Sequence, residues 1–460
     1  MRATLLDRVT LAGRCFERFA SGELGGATLR AGRRKAFGQR LNEDLKPCDD
    51  AAMISPSSTA HDYAKLWQLD RAITFLNHGS FGACPTQVLK AQRHYQDQLE
   101  AEPVRFFTRI APPLLDAARN ALADFLRAEA NDLVFVSNAT AGVNCVLRSL
   151  RFEKGDELLT TDHAYLACQN TLDYVAQREG LKVVTVSLPM PVTSPEQIVE
   201  AITAGVTPRT KLAMIDHVTS GSGMILPIEK IVHALQSRGI DVLVDGAHAP
   251  GMVNIDLNSL NAAYYTGNLH KWVCAPKGAG FLHVRSDKQD PIMPSIISHG
   301  YRVPRPHRSR FHDRFDWIGT LDLSPWLCVK DALDFIRKLL PGSIHELMQR
   351  NRALALRGRQ MLLDAFGSPL LCPDEMIGQM ATVILPDDPD PDHGLDWTTS
   401  PTPQHRMMSQ LMREYQIEVP VYYFAKAPRR AVRISAQVYN DESQYEKLIA
   451  AINEIVARGG

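Results

Sequence analysis

The chain has 460 residues, more than one hydrophobic core usually spans, so two domains or one large domain with a satellite are expected. Its 51 Lys and Arg balance its 51 Asp and Glu, which leaves no electrostatic footprint for a nucleic acid or a membrane surface. The eight cysteines form no CxxC pair, so neither a disulfide framework nor a zinc cluster is expected, and no apolar run approaches the roughly 20 residues of a membrane helix.

Residues 1–60 differ in composition from the rest of the chain. Up to Arg40 the stretch is arginine-rich, with Arg30, Arg33, Arg34 and Lys35 close together and only Asp7, Glu17 and Glu23 opposing them. It has no apolar segment of the kind a secretory signal carries. A poorly ordered extension on a cytoplasmic protein is expected, with an organellar transit peptide as the alternative.

From residue 130 onward, short β-rich runs alternate with helical patterns. The runs are "DLVFVS" (132–137), "DELLTT" (156–161), "LKVVTVSL" (181–188), "TKLAMIDH" (210–217), "IDVLVD" (240–245), "AAYYTG" (262–267) and "GAGFLHVR" (278–285). Several are almost continuously apolar, as strands covered on both faces are, and the spacers are long enough for crossover helices. This order predicts an α/β large domain over residues 61–325, built on a mostly parallel seven-stranded sheet.

After "LDLSPWLCVKDALDFIRKLL" the pattern changes. Helical stretches (325–340 and 343–366) precede a strand "QMATVILP", a Pro/Asp-rich loop from Asp387 to Pro403 and a further helix. The strands "IEVPVYYF" and "AVRISA" and a final amphipathic helix complete a small α+β domain over residues 326–460. The loop reads as a surface insertion.

In open α/β sheets, ligands bind beyond the carboxyl ends of the strands, so the candidates are sought there. "IDVLVDGAHAPG" brings Asp245 to the end of a buried strand, followed by His248 in a tight turn. A carboxylate there is either a helix cap or the partner of a cation, because burial without one is costly. Lys271 follows 26 residues later within "YYTGNLHKWVCAPKGAG", between a histidine and a tryptophan, close enough to return to the same edge. "FVSNATAGVNCVL" ends a strand and opens a helix near Thr140, whose first amides suit a phosphate. "TTDHAYLA" places His163 where a flat ring could stack, and "DHVTSGSGMILPI" supplies Ser220 in a glycine-rich turn. A phosphate cradle, a carboxylate, a stacking ring and a lysine at successive strand ends together suit pyridoxal 5′-phosphate.

The motifs "FLNHGSFGACP", "SNATAGVN", "TDHAY", "HVTSGSGMILPI", "DGAHAPG", "YYTGNLHKW", "PKGAGFL", "WIGTLDLSPWL" and "VRIS" resemble those of the class V aminotransferase group of fold-type I pyridoxal-phosphate enzymes. Within it the chain is most similar to the isopenicillin N epimerase-like branch, over about residues 70 to 456. The resemblance implies that Lys271 forms the Schiff base and then shuttles the α-proton, that Asp245 pairs with the pyridine nitrogen, and that His163 stacks on the ring. It implies further that His248 and Ser220 lie near the phenolic oxygen and that Ala139, Thr140, Asn268 and His270 hold the phosphate. Gly319 and Thr320 match a pair that reaches the phosphate of the neighbouring subunit, which implies a homodimer with active sites at the interface. Arg433 matches the arginine that forks onto a substrate carboxylate, and Asn77 and His78 would line the same entrance.

The resemblance implies a small amino-acid-type substrate, with removal of its α-proton through an external aldimine, and an epimerase-like outcome ranks first. C–S lysis and transamination are the alternatives. A persulfide-forming desulfurase is disfavoured, because no cysteine lies between Cys372 and Arg433. Epimerisation needs a second proton donor opposite Lys271, for which Tyr301, Tyr422 and Tyr423 are candidates. A non-catalytic binding protein on this fold would usually have lost the lysine or the aspartate, and both are present. A metal site built from His163, His248 and His270 has no supporting ligand spacing, so no metal is expected.

Overall fold

Each of the seven apolar runs forms a strand of one sheet in the computed structural model of the chain. The structure describes residues 59–391, 395, 396, 404–424 and 428–459. The arginine-rich extension up to residue 58 and most of the loop expected at 387–403 lie outside the described residues.

A short strand, β1 (Thr74–Phe75), comes first. The sheet strands are β2 (Leu133–Val136), β3 (Glu157–Thr161), β4 (Lys182–Val186), β5 (Thr210–Asp216), β6 (Asp241–Asp245), β7 (Tyr264–Asn268) and β8 (Gly280–Val284). Their spatial order is β2-β8-β7-β6-β5-β3-β4. From β7 to β4 all neighbours are parallel, and helices Ala139–Ser149, Leu166–Glu179, Pro195–Ala204 and Ile228–Gln236 connect successive strands. β8 runs antiparallel to both of its neighbours. The segment from Leu269 to Ala279 is too short to hold a crossover helix, so the chain can only fold back on itself there.

Alternate residues of the central strands enter two hydrophobic cores, one on each face. Ile215, Val242 and Val244 pack on one side, and Met214, Leu243 and Tyr264 on the other. A strand buried on both faces needs no polar alternation, which is why these runs read as continuous apolar stretches.

Towards the C-terminus come β9 (Met380–Ile384), β10 (Leu395–Asp396), β11 (Gln404–His405), β12 (Ile417–Glu418), β13 (Val421–Tyr423) and β14 (Arg430–Ser435). An antiparallel sheet of order β13-β14-β9 lies with helices Ser343–Phe366 and Glu442–Ala457, as the α+β expectation describes. The stretch "IEVPVYYF" is broken into two strands at Val419-Pro420. Proline has no amide to donate to a ladder, so β12 pairs in parallel with β1 while β13 pairs with β14. The β1–β12 pair fixes the segment carrying Asn77 and His78 against the strand region that carries Arg433. Among the described residues no helix is long and apolar enough to cross a membrane.

Candidate active site

The turn that follows β7 carries Lys271, and the turn that follows the parallel neighbour β6 carries His248. Their side chains meet, with Lys271 Nζ 2.9 Å from His248 Nε2. Both are buried. Gly82 holds the backbone of this turn from outside, with φ at +69°, and a Cβ there would lie 2.1 Å from the His270 carbonyl oxygen. No other residue type fits so close an approach.

His78 serves otherwise than the sequence suggests. It is fully buried, its Nδ1 is 2.7 Å from Tyr439 Oη and its Nε2 is 3.1 Å from the Lys271 carbonyl oxygen. Both nitrogens are thus engaged in fixing the lysine backbone, and His78 does not line an entrance. Asn77 is also buried and donates to Glu418 Oε1 at 3.1 Å.

The electrostatics follow from desolvation. Burial, helped by the Arg433 charge, lowers the Lys271 ammonium to about 7, against the opposing pull of Asp245, Cys168 and Asp216. Burial and then the Lys271 charge hold His248 well below the ordinary imidazole range, so its ring is neutral. Its Nδ1 is buried and has no hydrogen-bond partner among the described residues.

Asp245 ends β6 with 2% of its surface exposed. Its Oδ1 accepts the Ala247 amide at 3.0 Å and its Oδ2 accepts the Cys168 thiol at 3.2 Å. No helix begins there, so the helix-cap reading fails. Burial raises its carboxyl, opposed by Cys168, the Ala247 amide and Lys271. His163 lies past the end of β3, with Nδ1 2.8 Å from Ser222 Oγ, and Ser222 is in turn 2.7 Å from Thr219 Oγ1. Burial lowers His163 as well.

The helix Ala139–Ser149 begins at the end of β2, capped by Asn138, whose Oδ1 accepts the Ala141 amide at 2.9 Å. Gly142 lets this helix rest on β7, since a Cβ there would lie 2.1 Å from Thr266 Oγ1. Asn268 accepts the Ala139 amide at 2.8 Å through Oδ1. His270 is fixed by its Nδ1 at 3.2 Å from the Ala279 carbonyl oxygen, and burial lowers it to about 4. Asn268 is therefore held at the helix start that Ala139 and Thr140 open, with the dipole directed for an anion.

Arg433, in β14, is 4% exposed and has no acidic partner among the described residues. Its Nη1 donates to the Ser220 carbonyl oxygen and to Ser220 Oγ, its Nη2 donates to Ser80 Oγ at 3.0 Å, and its Nε has no partner among the described residues. Burial lowers it. A guanidinium buried without an anion marks a place for one. Gly319, with φ at +117°, and the exposed Thr320 lie on the surface.

Of the three tyrosine candidates, Tyr301 is about half exposed on its own turn. Tyr423 donates to Asp388 Oδ2 at 2.9 Å, and Tyr422 donates to the Gly221 carbonyl oxygen. Cys168, Ser222 and Ser80 are functional neighbours that the sequence pattern does not single out. Ser80 and Ser222 lie inside recognised motifs, but Cys168 carries no signal in its spacing.

A family model for aminotransferase class-V matches residues 75–370. An isopenicillin N epimerase of Amycolatopsis lactamdurans is 36% identical over 404 residues, covering 84% of this chain and 96% of that protein. An L-cysteine desulfhydrase of Arabidopsis thaliana is 32% identical over 410 residues, covering 83% of this chain and 87% of that protein. Among solved structures, the complex of the cystine C–S lyase C-DES with its reaction product cysteine persulfide matches with a TM-score of 0.68 at 21% identity, over 83% of this chain and 97% of that one. That likeness speaks for the fold alone.

The residues present fit pyridoxal 5′-phosphate. The His248 Nδ1 without a partner among the described residues, the buried Asp245 carboxyl, the amine lowered to about 7 and the helix start beside Asn268 match its oxygen, ring nitrogen, aldehyde and phosphate. Among the described residues no group of three His, Cys, Asp or Glu is placed to hold a metal ion. The chain belongs to the class-V aminotransferase family and is a pyridoxal-phosphate-dependent enzyme on the fold-type I scaffold.

Proposed function

We propose that the enzyme removes the α-proton of an amino acid that carries a free carboxylate, with Lys271 as the base. The observation that carries this reading is the buried Arg433 guanidinium, which has no acidic partner among the described residues and acts on Lys271, whose ammonium is lowered to about 7. When bound, pyridoxal 5′-phosphate supplies an aldehyde that takes up an amine and a ring that accepts the electron pair left by the departing proton.

The chain's own residues do the rest. Lys271 Nζ anchors the cofactor and then carries the proton, helped by a neutral His248 that leaves the amine its lone pair. Asp245, fixed by the Ala247 amide and the Cys168 thiol, holds the ring nitrogen. His163, anchored by Ser222, covers a ring face. The Ala139–Ser149 helix start, Asn268 and His270 hold the phosphate, and Arg433 holds the substrate carboxylate in a bidentate fork. On the same reading the enzyme is a homodimer in which Gly319 and Thr320 serve the partner's phosphate, and the exposure of Thr320 supports this.

Epimerisation and C–S lysis differ in what happens after the proton leaves. Epimerisation needs an acid on the opposite face, and the three tyrosine candidates lend it no support: Tyr301 is about half exposed, and Tyr422 and Tyr423 donate to Gly221 and Asp388. One-base chemistry is therefore favoured over the epimerase-like outcome, as β-elimination of a thiol or sulfide from a cysteine-type substrate, with water hydrolysing the remaining enamine to pyruvate and ammonia. The test is incubation with a panel of L- and D-amino acids and cysteine derivatives in deuterated water. Pyruvate and sulfide from L-cysteine support lysis. Deuterated product of inverted configuration without pyruvate supports epimerisation, and neither exchange nor product from any member contradicts α-carbon chemistry.

A further inference from the structure

The strand ends hold a buried acid that the proposed chemistry leaves without a role. Asp216 closes β5 as Asp245 closes β6, and the two are direct partners across the parallel ladder. Partnered residues on neighbouring parallel strands project to the same face, about 4.8 Å apart. The two carboxyl groups are therefore neighbours, and Asp216 is 3% exposed.

Their surroundings are unequal. Asp245 has the Cys168 thiol and the Ala247 amide as donors. Asp216 is faced by its own backbone amide, by the Tyr165 backbone amide from the start of helix Leu166–Glu179, by Asp245 from β6, by Lys271 from the turn after β7 and by Cys168. Among the described residues it makes no ion pair with a lysine or arginine. Two carboxylates this close cannot both ionise cheaply, and the one that holds the cofactor's protonated ring nitrogen keeps the charge while its neighbour keeps the proton. Burial and the Asp245 charge raise Asp216 well above the usual carboxyl range.

We propose that Asp216 is a positioning residue for the cofactor acid: it keeps its proton beside Asp245, so that the single negative charge of the pair rests on Asp245, where the ring nitrogen is held. This rests on the role proposed for Asp245. A neutral carboxyl is closely mimicked by an amide, so Asp216→Asn should leave cofactor affinity within about threefold of the parent.

The test is infrared difference spectroscopy on the holoenzyme at neutral pH, wild type minus Asp216→Asn, with cofactor dissociation constants measured on the same preparations. The expected result is a protonated-carboxyl carbonyl band that is present in the wild type and missing in the variant, with affinity nearly unchanged. Loss of carboxylate bands only, or an affinity loss of about tenfold or more, overturns the proposal. Should the Asn variant not fold, Asp216→Ser carries the same comparison of bands. Asp245→Asn measured alongside separates the two ideas: unchanged cofactor affinity in that variant overturns the role of Asp245, while the Asp216 band is read independently of it.

Discussion

Lys271 Nζ lies 2.9 Å from Nε2 of His248, and both groups are buried, which disfavours a charge on either. The amine is lowered from 10.5 to about 7, so in the apoenzyme its nucleophilic form grows as pH rises through 7. Stopped-flow mixing of apoenzyme with the cofactor should show covalent attachment accelerating about tenfold per pH unit below that point and levelling above it. An acceleration that continues unchanged to pH 10 would place the lysine in an ordinary solvated setting.

The same shift affects stability. A lysine whose folded pKa is depressed costs stability wherever the unfolded state binds the extra proton, so the cost grows as pH falls from 10.5 towards 7 and is complete below that. Lys271→Met apoenzyme should be more stable than the parent at neutral pH, and the gap should close towards pH 10.5. Denaturant unfolding of both apoproteins across this range checks it.

Asp245→Asn should leave the fold intact and slow the chemical step by two orders of magnitude or more, about 2.7 kcal/mol in barrier. A neutral amide cannot keep the ring nitrogen protonated. Single-turnover rates decide the matter, and activity within a few-fold of the parent would reduce Asp245 to a structural group.

Cys168→Ala removes the thiol that donates to Asp245 Oδ2, so the carboxylate should hold the cofactor less well, by roughly fivefold or about 1 kcal/mol. Cys168→Ser keeps a donor and should restore most of the affinity. Equal losses in both variants, measured by cofactor titration, would assign the effect to packing.

Arg433→Lys should raise the apparent KM for the amino-acid substrate far more than the cofactor dissociation constant. Lysine keeps the charge and loses the planar fork that fixes the carboxylate. Some turnover should be lost as well, since the fork sets which α-bond is aligned for cleavage. Weakened cofactor binding with unchanged substrate affinity would move Arg433 out of the substrate pocket.

The sheet was legible because strands buried on both faces are written as uninterrupted apolar runs, and every such run became a strand. Strand direction was not written there: β8 is apolar like the rest, and only the shortness of the Leu269–Ala279 turn reverses it. Asp245, Lys271 and the Ala139 helix start could be located because strand ends are where such a sheet gathers chemistry. What pattern cannot supply is side-chain partnership across distant segments. His78 sits within a motif that resembles an entrance, but its ring is turned onto the Lys271 backbone, 193 positions away. Cys168 and Asp216 belong to the same class of hidden neighbour, since only the ladder register and the helix after β3 bring them to Asp245.

Every role proposed for the site depends on which lysine carries the cofactor. Borohydride reduction of the holoenzyme, followed by peptide mass mapping, should place the phosphopyridoxyl adduct on Lys271, with no adduct retained in Lys271→Ala. An adduct on another lysine, such as the exposed Lys277 whose Nζ donates to the Gly82 carbonyl oxygen at 2.7 Å, would contradict it.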